Sequence, residues 1–175
     1  GFHASTNIEI IYVESEEIQR QGTDELDQLD AILIPGGFGD RGIEGMIQSI
    51  EYARLSKVPF LGICLGMQAA VIEYSRNVLG LSDANSTEFN SKTSAPVIAL
   101  ITEWKNGDGS LQNRDENSEL GGTMRLGAQE CLLQEGTNAK AIYDNNSVFE
   151  RHRHRYEFNS NYRKQLEEHQ LVISG

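Results

Sequence analysis

Apolar residues recur along the chain in short runs without alternation, and the segments between them have a helical period. The runs at residues 8–13, 31–34, 58–63 and 97–101 each predict a β-strand. Ile43, Ile47 and Ile50 are spaced i, i+4 and i+7, and with Met46 they indicate one face of a helix. Residues 67–74 predict another helix directly after the third strand. Continuous apolar strands that alternate with helices are typical of a parallel sheet covered on both faces.

The predicted fold class is therefore α/β, with a doubly wound, mostly parallel sheet and helices on both faces. The remaining segments are more polar. Residues 14–30 are polar and acidic, and residues 102–122 are rich in Gly, Asn and Asp, which indicates a surface excursion. Beyond it we predict extended structure at 123–133, a polar helix at 160–169 and a last strand at 171–174.

The composition indicates one globular domain. The 175 residues are 38% hydrophobic and 23% charged, which supplies enough apolar material for a core and argues against disorder. The longest nearly apolar stretch, residues 58–72, is shorter than a membrane span, so we expect no membrane insertion. Lys and Arg number 15 against 26 Asp and Glu, and this net charge of −11 argues against nucleic acid as a main partner, because neutralising phosphates requires a basic surface.

The two cysteines, Cys64 and Cys131, lie in apolar surroundings and do not resemble a disulfide framework, so a reducing cytoplasm is the expected compartment. The chain begins Gly-Phe-His and shows no secretory leader, and we expect it to be part of a longer polypeptide. Cys131 belongs to a strand-like stretch without flanking glycines, and we interpret it as a core residue.

Candidate chemistry concentrates in Gly62-Ile-Cys-Leu-Gly66, which follows an apolar strand and precedes a helix. This spacing in a strand–turn–helix context indicates a nucleophile elbow with Cys in place of Ser. Such a turn strains the backbone at the nucleophile and crowds the residues two positions away, which favours Gly at both. It also places the Cys64 sulfur at a helix N-terminus, where partial positive charge stabilises the reactive thiolate. The alternative is a buried structural cysteine beside packing glycines.

Two further stretches carry candidate binding groups. Pro35-Gly-Gly-Phe-Gly-Asp-Arg-Gly42 also ends a strand and opens a helix, and its backbone N–H groups could bind an oxyanion; a plain tight turn is the alternative. It lacks the Gly-Lys-Ser/Thr ending of a phosphate-binding loop. In Arg151-His-Arg-His-Arg155 the arginines could form forked bonds to a carboxylate, or could form only a solvated cationic stretch. His152 and His154 have no partners at metal-ligand spacing, so we predict no zinc site.

Five stretches of the sequence resemble a single known family. They are Ile34-Pro-Gly-Gly-Phe-Gly39, Gly62-Ile-Cys-Leu-Gly-Met-Gln68, Ala84-Asn-Ser-Thr-Glu-Phe89, Leu120-Gly-Gly-Thr-Met-Arg-Leu-Gly127 and Glu150-Arg-His-Arg-His-Arg-Tyr-Glu-Phe-Asn159. Together they resemble the glutamine amidotransferase (glutaminase) domain of CTP synthase over about residues 7–175. The elbow alone would indicate any class I glutamine amidotransferase, whereas the last two stretches narrow the resemblance to CTP synthase. The family implies a flavodoxin-like fold, here incomplete at both ends, and a synthetase domain outside these residues.

The resemblance implies a cysteine-dependent glutaminase. In that family the elbow cysteine attacks the side-chain amide of L-glutamine, forms a glutamyl thioester and releases ammonia, and water then frees glutamate. The ammonia passes to a synthetase domain of the same polypeptide, which activates UTP with ATP and Mg²⁺ and produces CTP in pyrimidine biosynthesis. GTP is an activator in the family, whose members are typically homotetramers. No cofactor is implied for the 175 residues themselves.

Residue roles follow from the resemblance, position by position. Cys64 takes the place of the nucleophile, and Gly37 with the Leu65 amide matches the oxyanion hole. Glu88 matches the acidic residue that recognises the α-amino group of glutamine, and Arg155 matches the arginine near its α-carboxylate. The rest of the elbow-side wall is formed by Gly66, Met67 and Gln68.

The sequence departs from the family at the catalytic base. The family's His and Glu lie in a His-Pro-Glu motif, and Pro-Glu follows none of the four histidines, His3, His152, His154 and His169. We therefore assign no general base and expect these 175 residues alone to be inactive or severely impaired, because a triad without its base is incomplete. Two alternatives stay open: a non-catalytic regulatory or interaction module of the same fold, and a related amidotransferase or cysteine hydrolase.

Overall fold

A computed structural model of the chain describes residues 4–100, 103–105, 111–113 and 124–175. The helices in these ranges are α1 (Ser15–Gln21), α2 (Ile43–Ser56), α3 (Leu65–Asn77), α4 (Asn138–Tyr143) and α5 (Arg163–Glu168). The strands are β1 (Ile32–Ile34), β2 (Phe60–Gly62), β3 (Ala84–Ser86), β4 (Ala95–Leu100), β5 (Glu103–Lys105), β6 (Leu111–Asn113), β7 (Arg125–Leu132), β8 (Ser147–His154) and β9 (Tyr156–Phe158). Short 3₁₀ turns occur at Asp24–Leu26 and Ser160–Tyr162.

The described strands pair in a mixed parallel and antiparallel pattern. β1 and β2 are parallel, with Leu33 opposite Leu61, and β3 is parallel to β4. β9 adds to the other edge of β4 in the antiparallel direction, with Ile98 opposite Phe158. β7 and β8 form a separate antiparallel ribbon in which Arg125 is opposite His154. The carboxyl ends of the parallel strands therefore lead into the loops that carry the candidate chemistry.

The core lies where α3 packs against the parallel strands and against α2. Ala69 and Ile72 of α3 are fully buried, and Ile47 of α2 and Ile34 of β1 are nearly so. An ion pair crosses the helix interface, where Arg54 Nη2 lies 2.7 Å from Glu73 Oε1 and only 1% of the Glu73 side chain is exposed. Helix α1 covers α2 from outside. Packing therefore fixes α3, the helix that follows the predicted nucleophile.

Most sequence predictions for the first hundred residues are confirmed. β1 and β2 fall within the predicted strands at 31–34 and 58–63, β4 overlaps the strand predicted at 97–101 but begins at Ala95, and α2 and α3 are the predicted helices. The extended segment at 123–133 is β7, and α5 lies within the polar helix predicted at 160–169. The α/β fold class is confirmed as well. The surface excursion predicted at 102–122 lies mostly outside the described residues, although β5 and β6 fall within it.

Two predicted strands are wrong. Residues 8–13 form no strand and pair with none of the strands that the structure describes, and Ile8, Ile10 and Ile11 are more than half exposed. Apolar content alone does not make a strand, because the strand's backbone groups need a partner edge for their hydrogen bonds. Residues 171–174 form no strand either. In place of a ladder, Leu171 N donates to Leu166 O at 3.0 Å, and Gln134 N donates to Ser174 O at 2.9 Å.

None of the helices in the described ranges combines the length and the apolar character needed to cross a membrane.

Candidate functional site

The connection between β2 and α3 has the geometry of a nucleophile elbow. β2 ends at Gly62 and α3 begins at Leu65, and Cys64 between them has φ 54° and ψ −105°. A positive φ at a residue with a Cβ is strained by about 1–3 kcal/mol and persists only when its surroundings enforce it. Cys64 is exposed, so the strained turn places its thiol in solvent at the N-terminus of α3. The alternative of a buried structural cysteine is wrong.

The two glycines around the elbow are required by close backbone contacts. A Cβ on Gly66 would lie 2.2 Å from the carbonyl oxygen of Ile34 in β1, and a Cβ on Gly62 would lie 2.6 Å from the backbone of Gly66. Atoms cannot approach so closely without shifting the backbone. The glycines therefore let α3 start directly against β1 and β2, which forces the sharp turn at Cys64.

The glycine-rich loop after β1 lies across from the elbow. A Cβ on Gly36 would be in contact with Cys64 Cβ at 3.4 Å, and a Cβ on Gly37 would lie 3.1 Å from Leu65 Cδ2. The loop is therefore adjacent to the first turn of α3, whose N–H groups have no partners within the helix. Such groups attract developing negative charge. The arrangement brings Gly37 and Leu65 together as the sequence predicts for an oxyanion hole.

A cavity of about 320 Å³ opens between the elbow, the glycine-rich loop and the β8–β9 connection. Its lining consists of Gly37, Phe38, Cys64, Gln68, Glu88, Met124, His154, Arg155 and Tyr156. Five of the residues that the sequence predicts for the site are among them, namely Gly37, Cys64, Gln68, Glu88 and Arg155. Leu65 and Gly66 are buried behind this wall, and Met67 lies outside the lining with 43% of its surface exposed.

Glu88 follows β3 and connects that strand to the glycine-rich loop. The backbone N–H of Gly39 donates a hydrogen bond to Glu88 Oε1 at 3.3 Å, and the backbone N–H of Glu88 donates to Ser86 Oγ at 3.2 Å. Ser86 is fully buried, so the turn that carries Glu88 is anchored in the core. Glu88 therefore joins the buried end of β3 to the glycine-rich loop at the lining of the cavity.

Arg155 is the single residue between β8 and β9, two strands that belong to different sheets. Its neighbour Tyr156 is fixed to the elbow helix, because Gln68 Nε2 donates to the Tyr156 carbonyl at 2.9 Å and Gln68 is only 6% exposed. A guanidinium, a carboxylate and a thiol thus surround one small cavity. This set of groups fits a ligand that carries both an ammonium and a carboxylate beside a reactive carbonyl.

Sequence reasoning missed the ion pairs behind this wall. Glu157 Oε1 is 2.8 Å from His154 Nε2, and Glu157 Oε2 accepts a hydrogen bond from Arg125 Nη2 at 3.1 Å. Burial would raise the pKa of the Glu157 carboxyl, but the bonds from His154 and Arg125 outweigh it and keep that pKa below its usual value. Burial, with the charges of His154 and Arg125, lowers the pKa of His152. The only sequence signal was the spacing of Glu157 three residues after His154.

Cys131 is not the core residue that the sequence predicts, because it lies outside the buried apolar cluster. It lies half-buried in β7, where burial, followed by the charge of Glu150, raises the pKa of its thiol. A thiol in such surroundings stays protonated and unreactive. Across the described ranges, no group of three or more His, Cys, Asp or Glu side chains is arranged to hold a metal ion.

Comparison with known proteins places the chain in a family. The family model for class I glutamine amidotransferases matches residues 2–175. Among solved structures, the glutaminase domain of Trypanosoma brucei CTPS with bound acivicin is similar, with 38% sequence identity and a TM-score of 0.83. The match covers 98% of this chain and 63% of the trypanosomal chain. The chain belongs to the class I glutamine amidotransferases.

Proposed function

We propose that this chain is the glutamine-hydrolysing domain of a CTP synthase and that Cys64 is its nucleophile. The observation that carries the proposal is the exposed thiol at a strained bend, in a cavity that also contains Glu88 and Arg155. The 38% identity to the trypanosomal CTPS glutaminase domain, across nearly the whole chain, supports the choice of family branch.

In the proposed reaction, the Cys64 thiolate attacks the side-chain carboxamide carbon of L-glutamine. The resulting oxyanion is stabilised by the backbone N–H groups of Gly37 and Leu65. Breaking the C–N bond, with a proton delivered to the leaving nitrogen, releases ammonia and leaves a glutamyl thioester on Cys64. The group that carries this proton is the general base of the family, which we assign to none of these 175 residues. Water then attacks the thioester carbon, which frees glutamate and restores the thiol.

The charges of the cavity suit the rest of the substrate. The Glu88 carboxylate binds the α-ammonium group, and the Arg155 guanidinium binds the α-carboxylate through forked hydrogen bonds. Gln68 lines the elbow side of the pocket, and Leu65, Gly66 and Met67 belong to the same first turn of α3.

The whole-enzyme reaction is also part of the proposal. Ammonia passes to a synthetase domain that activates UTP with ATP and Mg²⁺, and CTP results. The chain itself is assigned neither ATP nor Mg²⁺. GTP activation, a homotetrameric assembly and a cytoplasmic location follow from the same family assignment.

The test is covalent labelling of the full-length protein by acivicin, the ligand in the trypanosomal structure. We expect saturable labelling of Cys64 that glutamine prevents, no labelling of the Cys64→Ala variant, and unchanged labelling of the matched Cys131→Ala variant. Cys64→Ala should also abolish glutamine-dependent CTP synthesis and leave synthesis from free ammonia intact. Labelling that persists in Cys64→Ala, or loss of both activities, would contradict the proposal. A full-length protein that acivicin does not label would favour the non-catalytic module.

A further inference from the structure

The position of Arg155 depends on its two neighbours in the chain, because Arg155 belongs to neither strand and forms no strand pairing itself. His154 is the last residue of β8, and Tyr156 is the first residue of β9. β8 pairs with β7, whereas β9 pairs with β4. Arg155 therefore connects two sheets across one bend, and any relative movement of the sheets would displace its guanidinium from the cavity.

Glu157 connects the same two sheets through its carboxylate. The residue belongs to β9, where it lies opposite Ala99 of β4. Its side chain pairs with His154 of β8 and with Arg125 of β7, two residues that face each other in the ribbon. One carboxylate thus joins the last residue of β8 and the first residue of β7 to β9.

The environment of Glu157 makes this connection firm. The side chains of Glu157, His154 and Arg125 are 27%, 20% and 33% exposed, so solvent screens the ion pairs only in part. Arg125 Nη2 donates a hydrogen bond to Glu157 Oε2 at 3.1 Å, and Arg125 Nε forms an ion pair with Glu157 Oε1. Glu157 itself is absent from the cavity lining, whereas His154 and Arg155 belong to it.

We propose that Glu157 is a positioning residue for substrate binding, which holds His154 and Arg155 at the cavity wall through its pairs with β7 and β8. The inference rests on the proposed function, in which Arg155 binds the α-carboxylate of glutamine. Glu157 touches no substrate atom in this arrangement. Its loss lets the β8–β9 bend relax, and the affinity for the substrate falls while the chemistry at Cys64 stays the same.

The experiment measures the rate of Cys64 labelling against acivicin concentration in the full-length protein. For Glu157→Ala we expect the half-saturating concentration to rise about ten-fold, the size expected for one charge-assisted hydrogen bond, with little change in the limiting rate. Glu157→Gln keeps an acceptor of the same shape and should lie between wild type and Glu157→Ala. The matched control is Glu150→Gln, which removes an exposed carboxylate of β8 that bonds Tyr143, and should behave as wild type.

A second reagent distinguishes a displaced Arg155 from a general loss of Cys64 reactivity. Iodoacetamide alkylates Cys64 without needing Arg155, so its rate should be the same in wild type and both Glu157 variants. Two results would overturn this inference and leave the proposed function standing. One is a half-saturating acivicin concentration that is unchanged in Glu157→Ala, and the other is an equal fall in the rates of labelling by acivicin and by iodoacetamide. Absence of saturable acivicin labelling in wild type overturns the proposed function and this inference with it.

Discussion

The two sides of the cavity are built by different forces. The elbow side, formed by β1, β2, the glycine-rich loop and α3, is fixed by contacts between backbones and by a buried apolar core. The ribbon side, formed by β7, β8 and β9, carries the charged pairs around Glu157. Both sides expose large apolar side chains, such as Phe38 at 76% in the glycine-rich loop and Phe149 at 71% in β8. Close backbone packing is concentrated on the elbow side, whereas ion pairs are concentrated on the ribbon side, where only β9 packs against the core.

This difference suits the tasks that we propose for each side. A nucleophile and an oxyanion hole need fixed positions within a fraction of an ångström, which close packing provides and which solvent conditions hardly alter. Recognition of a zwitterionic substrate needs paired charges, whose strength varies with pH and salt. The two walls should therefore respond to different perturbations, and the following variants test that expectation.

The largest effect is expected from Gly66→Ala on the elbow side. Its new Cβ would lie 2.2 Å from the Ile34 carbonyl oxygen, so β1 and α3 must separate. We expect the free energy of unfolding to fall by more than about 3 kcal/mol, or the protein not to fold. Gly80→Ala is the matched control: Gly80 also needs a positive φ, 73°, but a Cβ there meets open space, so the loss should be about 1 kcal/mol. Equal losses in urea denaturation would contradict a wall fixed by sterics.

A buried ion pair between α2 and α3 tests the contrast between the two sides, because it places charged groups in the closely packed elbow side. Arg54 Nε and Nη2 both bond Glu73, whose other partner is Asn77 at 3.1 Å. Arg54→Met would leave the Glu73 carboxylate nearly uncompensated in the core, and we expect a loss of about 3 kcal/mol. The control Arg163→Met removes the exposed pair with Glu167 and should cost less than about 0.5 kcal/mol. Similar urea midpoints for both variants would show that the buried pair contributes nothing.

The contrast also explains what the sequence could predict. Gly62 and Gly66 are local signals for the elbow, because their spacing reflects contacts within a few residues of Cys64, and the apolar runs predict β1, β2 and β4 for the same reason. β8 was missed because its polar residues, from Glu150 to His154, show no apolar pattern, and its partner β7 lies some twenty residues away. Glu157 was missed because a pairing of one carboxylate with two strands depends on tertiary structure.

Stability on the ribbon side should depend on pH. The pKa of Glu157 is lowered in the folded protein, although burial opposes this, by bonds from His154 and Arg125, with His152 also nearby. Its stabilisation is therefore complete above the ordinary carboxyl value of 4.5 and is lost as the pH falls through the lowered value. We expect Glu157→Gln to lower the free energy of unfolding by about 1–2 kcal/mol at pH 7. A wild-type-minus-variant difference that stays constant on acidification would show that charge is not the cause.

The smallest effect should come from removing a buried hydrogen bond on the elbow side. Ser75 of α3 is fully buried, and its Oγ donates to the Val71 carbonyl at 2.7 Å. That carbonyl already accepts the helical N–H bond of residue 75, so Ser75→Ala leaves no orphaned group and should cost about 0.5 kcal/mol or less. Ser75→Val fills the same site with an extra methyl group and should cost about 1–3 kcal/mol through overpacking. If urea denaturation instead ranks Ser75→Ala as the more damaging change, hydrogen bonding rather than shape fixes the elbow helix.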